Sequence, residues 1–128
     1  MTFGYWCILF AYLIPYGAVA YAKFTGNGFT PEDNRNPRSF LGNLEGARAR
    51  ANAAQQNAFE ITPLFAAAVL VAHLTGGASQ GTINFLAFVF VVSRIIYTWL
   101  YIKDRASQRS KVWALGMLSI VFLFFAAV

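Results

Sequence analysis

From Phe3 to Ala22 no side chain carries a charge, and Lys23 ends the run. A helix crossing a bilayer core needs about 20 such residues at about 1.5 Å each, so this stretch is long enough to span. Three more apolar stretches follow: Ala58 to Leu74, closed by Thr75-Gly76-Gly77; Thr82 to Ile102, with Arg94 as its one charge; and the uncharged Val112 to Val128. Hydrocarbon offers backbone groups no partner, so runs of this length are helical. The second helix is expected to begin well before its apolar part. Asn36-Pro37 offers an N-cap followed by proline at the first helical position, and Ala47 to Ala54 is rich in strong helix formers. Spans are expected at about 3–23, 47–75, 82–103 and 110–128 within one domain, 1–128: an all-α integral membrane bundle of four transmembrane helices. Pro15 and Gly17 predict a bend in the first.

Only 12% of the 128 residues are charged, half the roughly 25% of a soluble domain. The net charge of +5 does not indicate nucleic acid, because the basic residues flank apolar runs and face an anionic membrane surface instead. Lys23, Arg35, Arg38, Arg48 and Arg50 lie between the first two spans, and Lys103, Arg105, Arg109 and Lys111 between the last two, whereas Thr75 to Gly81 is uncharged. The positive-inside rule then makes both basic loops cytoplasmic and both termini external. No basic residue precedes the first run, so it reads as a retained span and not a secretory signal. Cys7 is the only cysteine, which excludes an intrachain disulfide and a cysteine metal cluster; it reads as a small packing residue.

Two charges sit where hydrocarbon should be, and each costs about 2.5–3.5 kcal/mol to insert. Counted down from the uncharged loop, Glu60 and Arg94 lie at roughly 21 and 18 Å, a similar level that permits a pair between the second and third spans. Each also ends a polar stripe. Arg94, Tyr97, Tyr101 and Arg105 recur within a sector of about 80° on the third helix, as do Arg50, Ala53, Asn57 and Glu60 on the second, with Gln56 beside them. One such residue would serve as interhelical glue. Two aligned stripes point to a hydrated polar cleft that takes a ligand, with Glu60 and Arg94 as its floor. His73, Asn84 and Ser93 read as interfacial or packing residues, and Trp6, Trp99 and Trp113 as interface anchors.

The pattern resembles the MAPEG family, the membrane-associated proteins of eicosanoid and glutathione metabolism. Asn57-Ala58-Phe59-Glu60-Ile61-Thr62-Pro63-Leu64-Phe65 is similar to the family's second-helix signature, and Arg94-x-x-Tyr97-x-x-x-Tyr101 to that of its third. Arg109, before Lys111 and Trp113, resembles the basic residue that opens the fourth helix. Asn34 to Arg38, followed by Gly46 and the Ala/Arg-rich run, resembles the bacterial branch, which implies a bacterial inner membrane.

The resemblance implies a homotrimer that binds glutathione as co-substrate, without metal, in clefts between subunits open to the cytoplasm. It implies transfer of glutathione to lipophilic electrophiles taken from the bilayer, or reduction of lipid hydroperoxides. Arg50, Gln56, Asn57, Glu60, Arg94, Tyr97, Tyr101 and Arg105 would hold the tripeptide, and Arg109 would be catalytic, stabilising its thiolate. Three features depart from the pattern: Ala53 where synthases of the family carry arginine, Ile61 where an aromatic residue often follows the glutamate, and a Tyr101-to-Arg109 spacing one residue off that of some members. One member of the family only binds lipid, so a non-enzymatic lipid-binding or scaffold role is the alternative. Uninterrupted spans and the lack of an inverted repeat argue against a transporter.

Overall fold

The computed structural model describes residues 1–128 and is entirely helical apart from its turns. In chain order the helices are α1 (Phe3–Phe24), α2 (Pro37–Gly42), α3 (Gly46–Thr75), α4 (Gln80–Ile102) and α5 (Ala106–Ala126), with one 3₁₀ turn at Asp33–Arg35. Helices α1, α3, α4 and α5 are long and apolar enough to cross a membrane. Their outer surface carries Phe10, Leu13, Phe85, Trp99, Phe122 and Phe125, all exposed, as a surface solvated by lipid requires.

The expectation of one helix running on from Asn36-Pro37 is corrected. Asn36 does cap a helix, its side-chain oxygen accepting from the Ser39 amide at 3.2 Å, but that helix stops at Gly42. The Asn43 side chain donates to the Ser39 carbonyl at 2.9 Å and so closes the last turn. Glu45 is then extended and Gly46 takes φ +62, a left-handed value that glycine adopts without a Cβ penalty. The chain turns there and restarts as α3, whose 30 residues span about 45 Å. Since this exceeds the hydrocarbon thickness, α3 projects beyond it at the end that carries the basic loops.

The bundle packs on small residues. Cys7, Ala11, Ala18 and Ala22 of α1 are buried, as are Ala51, Ala54, Ala58, Ala68 and Ala72 of α3. Such residues let helices approach closely where no hydrophobic effect drives them together. The central contact is Phe65 of α3 stacked on Phe90 of α4, ring centroids 3.9 Å apart. Helices α4 and α5 approach closely at Gly116, where an added Cβ would lie 2.7 Å from the Ser93 hydroxyl oxygen.

Polar networks tie both ends. At the uncharged end the His73 Nδ1 lies 2.8 Å from the Val69 carbonyl, so it must donate, and Nε2 is left to accept. The Thr2 hydroxyl, at 2.9 Å, and the Gln80 amide, at 3.2 Å, donate to it. Asn84 accepts from the Gly4 amide and from Gln80. His73, expected to be merely interfacial, thus joins α3 to Thr2 and to α4, with Tyr5 stacked on its ring at 4.2 Å.

At the basic end two arginines of α3 seize the free carbonyls of neighbouring helices. Arg48 donates to Ala22 at 2.8 Å and Lys23 at 3.2 Å in the last turn of α1. Arg50 donates through Nε and Nη2, both at 3.1 Å, to Ile102, the last residue of α4. A helix end leaves such carbonyls unpaired and bears partial negative charge, so a guanidinium both satisfies and neutralises it.

Candidate functional site

The site is built on α4, where buried residues recur at helical spacing as Ile83, Ala87, Phe90, Ser93, Arg94, Tyr97 and Leu100. Most of this face is ordinary core. Arg94 departs from it: the guanidinium is 1% exposed, the largest fully buried side chain of the protein. Its Nη2 donates to Asn57 Oδ1 of α3 at 2.8 Å, and its plane lies over the Tyr97 ring, 4.0 Å from the centroid. Nε and Nη1 have no hydrogen-bond partner. A buried cation held by one hydrogen bond and one aromatic face is costly, and such costs concentrate at functional sites.

From Arg94 the arrangement climbs toward the basic end. Tyr97 is buried and meets Tyr101 edge to face, centroids 5.7 Å apart. Arg109, half-buried at the end of the first turn of α5, places its guanidinium 4.1 Å from the Tyr101 centroid. Asn57, Arg94, Tyr97, Tyr101 and Arg109 therefore form one continuous column, a cation at each end and two phenols between. The order follows from the helix: i, i+3 and i+7 on α4 keep Arg94, Tyr97 and Tyr101 in line, and a turn of only Lys103–Arg105 folds α5 back onto them. The column mixes charge, phenol and aromatic face, and can hold an anion near Arg109 against a rigid wall.

The remaining candidate residues lie elsewhere. The expected Glu60–Arg94 pair does not form; the one salt bridge is the exposed Arg35–Glu32 contact at 3.4 Å. Glu60 sits about 60° further round α3 than Asn57 and is exposed on the chain's outer surface, as is Gln56. Asn57, closer to the α3–α4 seam, takes the guanidinium instead. Arg50 shares that seam, but its Nε and Nη2 are engaged on the Ile102 carbonyl. Arg105 is exposed and caps the start of α5 through its backbone.

A second polar concavity lies on the other flank of α3. Lys23, Arg38, Asn52, Gln55 and Gln56 line it beside Tyr16 and Phe59, with a volume of about 630 Å³. Its signal in the sequence is the recurrence of Asn52, Gln55, Gln56 and Phe59 at i, i+3, i+4 and i+7. No group of histidine, cysteine and acidic side chains capable of holding a metal ion occurs.

Compared with known proteins, the chain matches no curated protein and no solved structure. Among models of protein families one matches, over residues 3–128, which takes in every membrane-crossing helix and every residue of the column. That model is the MAPEG family's, and the chain belongs to the MAPEG family.

Proposed function

We propose that the protein is a glutathione-dependent membrane transferase or peroxidase acting on lipophilic electrophiles or lipid hydroperoxides. The observation that carries this reading is the column ending in Arg109, whose guanidinium is fixed on Tyr101 at 4.1 Å. A free thiol of pKa about 8.5 is only a few per cent thiolate at neutral pH. A cation in a low-dielectric cleft lowers that value by about 1–2 units. The thiolate sulfur then attacks the electrophilic carbon of an apolar substrate, forming the carbon–sulfur bond as the leaving group departs with its electron pair. The thiol proton leaves to water at the basic end, and the positive-inside rule supports a cytoplasmic position for that end. No protein nucleophile enters the step, in keeping with a chain whose one thiol, Cys7, is buried in α1.

The distribution of the polar residues supports packing against further copies of the chain, and membership of the family points to a homotrimer. Glu60 is exposed on a single chain at membrane depth, where a carboxylate facing lipid is strongly unfavourable. A neighbouring copy packed on that face would cover Glu60 and Gln56 and bring them into a shared cleft with a column of the kind described. Glutathione, itself charged at both ends, would supply the partners those groups need.

A lipid-binding protein without catalysis is the second reading, and Ala53, in place of the family's arginine, favours it. Adding glutathione to the purified protein and following thiolate absorbance across pH separates the two. A thiolate signal that appears well below the free thiol's range supports the enzyme. Binding of lipid with no thiolate signal at any glutathione concentration refutes it.

A further inference from the structure

We propose that Arg50 is a positioning residue for Arg109, acting through the end of α4 without touching the ligand. The inference rests on the reading of Arg109 as the group that faces the thiolate. Arg109 reaches Tyr101 only because α5 leaves α4 through a three-residue turn, Lys103–Arg105. That turn is tightly wound. The Lys103 amide donates to Trp99 at 3.0 Å, Asp104 to Tyr101 at 3.1 Å and Arg105 to Leu100 at 2.9 Å. Asp104 takes φ +59, the only residue other than glycine with a positive φ, a conformation that persists only when its surroundings enforce it.

Those three bonds consume the carbonyls of Trp99, Leu100 and Tyr101. The next carbonyl, Ile102, is the one on which Arg50 places two donors at 3.1 Å. Arg50 therefore supplies the partner that the turn itself does not, and anchors the turn to α3. Asn57, two turns further along the same flank of α3, holds Arg94. The two contacts fasten α4 at both ends of the column, so the Tyr101–Arg109 geometry is set from α3. Arg48, two residues earlier, binds α1 and not α4. It is an internal control of the same charge on the same helix.

The test compares wild type, Arg50→Ala, Arg50→Lys and Arg48→Ala as full-length detergent-solubilised proteins with equal helix content. Two quantities are read: hydrogen exchange at the Lys103, Asp104 and Arg105 amides, and the pH titration of glutathione thiolate absorbance. Arg50→Ala is expected to speed exchange at the turn by about tenfold or more, as loss of a charge-assisted bond implies, and to move the titration upward by about one pH unit. Arg50→Lys, which keeps a cation but not the fork, recovers part of both. Arg48→Ala leaves both as in wild type and instead exposes the Thr25 amide at the end of α1.

Turn amides as protected in Arg50→Ala as in wild type overturn the proposal, as do turn amides exposed equally by Arg48→Ala. A loosened turn with an unmoved titration also overturns it, leaving Arg50 a plain helix cap while the functional reading stands. Absence of any thiolate in wild type removes the functional reading, and the positioning role with it, whatever the exchange shows.

Discussion

Arg94 and Asn57 make opposite predictions about which member of a buried pair the fold needs. The guanidinium is 1% exposed, accepted by one oxygen at 2.8 Å, with two nitrogens unpartnered. Removing the acceptor by Asn57→Ala leaves a desolvated cation with only the Tyr97 face. A hydrogen bond to a charged group contributes about 1.5–3 kcal/mol, and polar contacts between membrane helices average about 0.6 and reach about 1.7, so a loss of about 1.5–2 kcal/mol is expected. Removing the cation instead, by Arg94→Met, deletes the group that carries the burial cost while retaining most of its volume. Replacing buried charge by packed apolar side chains is often neutral or stabilising, so Arg94→Met should change stability by less than about 1 kcal/mol. The double variant should resemble Arg94→Met alone, because Asn57 has then lost its charged partner. Reversible unfolding in mixed detergent micelles, measured as a double-mutant cycle, gives all three values. A more damaging Arg94→Met than Asn57→Ala, or two effects that simply add, would refute this assignment.

Gly116→Ala places a Cβ 2.7 Å from the Ser93 oxygen and should cost about 1–3 kcal/mol as overpacking, with Ser93→Ala restoring much of it in the same melt. Arg109→Ala should lower the thiolate fraction about tenfold, equivalent to about 1.4 kcal/mol, while Lys111→Ala changes it little; equal small losses at both sites would favour the lipid-binding reading. Ser107→Cys should react with impermeant reagent only from the cytoplasmic side of membranes, and labelling from outside alone would invert the topology. Thr30 donates to Asp33 through both its amide, at 2.9 Å, and its hydroxyl, at 2.8 Å, which holds the carboxyl below its ordinary range. A depressed carboxyl contributes stability above its unfolded value, and that contribution is lost as pH falls through the folded one. The Thr30 amide shift should therefore stay constant through neutral pH and titrate only at acid pH below the usual aspartate value; a midpoint at or above that value would show that the turn adds nothing.

Helix number, helix type and the α4 stripe are legible in the sequence because each depends on local rules. A charge-free run in lipid has one way to satisfy its backbone, and residues at i, i+3 and i+7 share a face whatever packs against them. The break before α3 is harder to read. There Asn43 and Gly46 carry the signal for a break, but the good helix formers on either side mask it. The partner of Arg94 was not legible. Depth along a helix is a matter of counting, and it put Glu60 level with Arg94, yet which of Asn57 and Glu60 meets the guanidinium depends on how α3 is rotated against α4.

That rotation is decided by Phe65 stacking on Phe90 and by the alanines of α3 packing inward, contacts between residues far apart in the chain. It turns Glu60 outward, aims Arg50 at Ile102 and leaves Asn57 on the seam. The fold of Arg109 onto Tyr101 is likewise tertiary, since it needs the turn at Asp104 and the approach of Gly116 to Ser93. Local rules suffice for four membrane-crossing helices and for the polar stripes on α3 and α4, because hydrocarbon and helix period act on each segment alone. Which of those polar groups meet was decided only by packing, because a side chain's partner depends on the rotation of a whole helix against its neighbours.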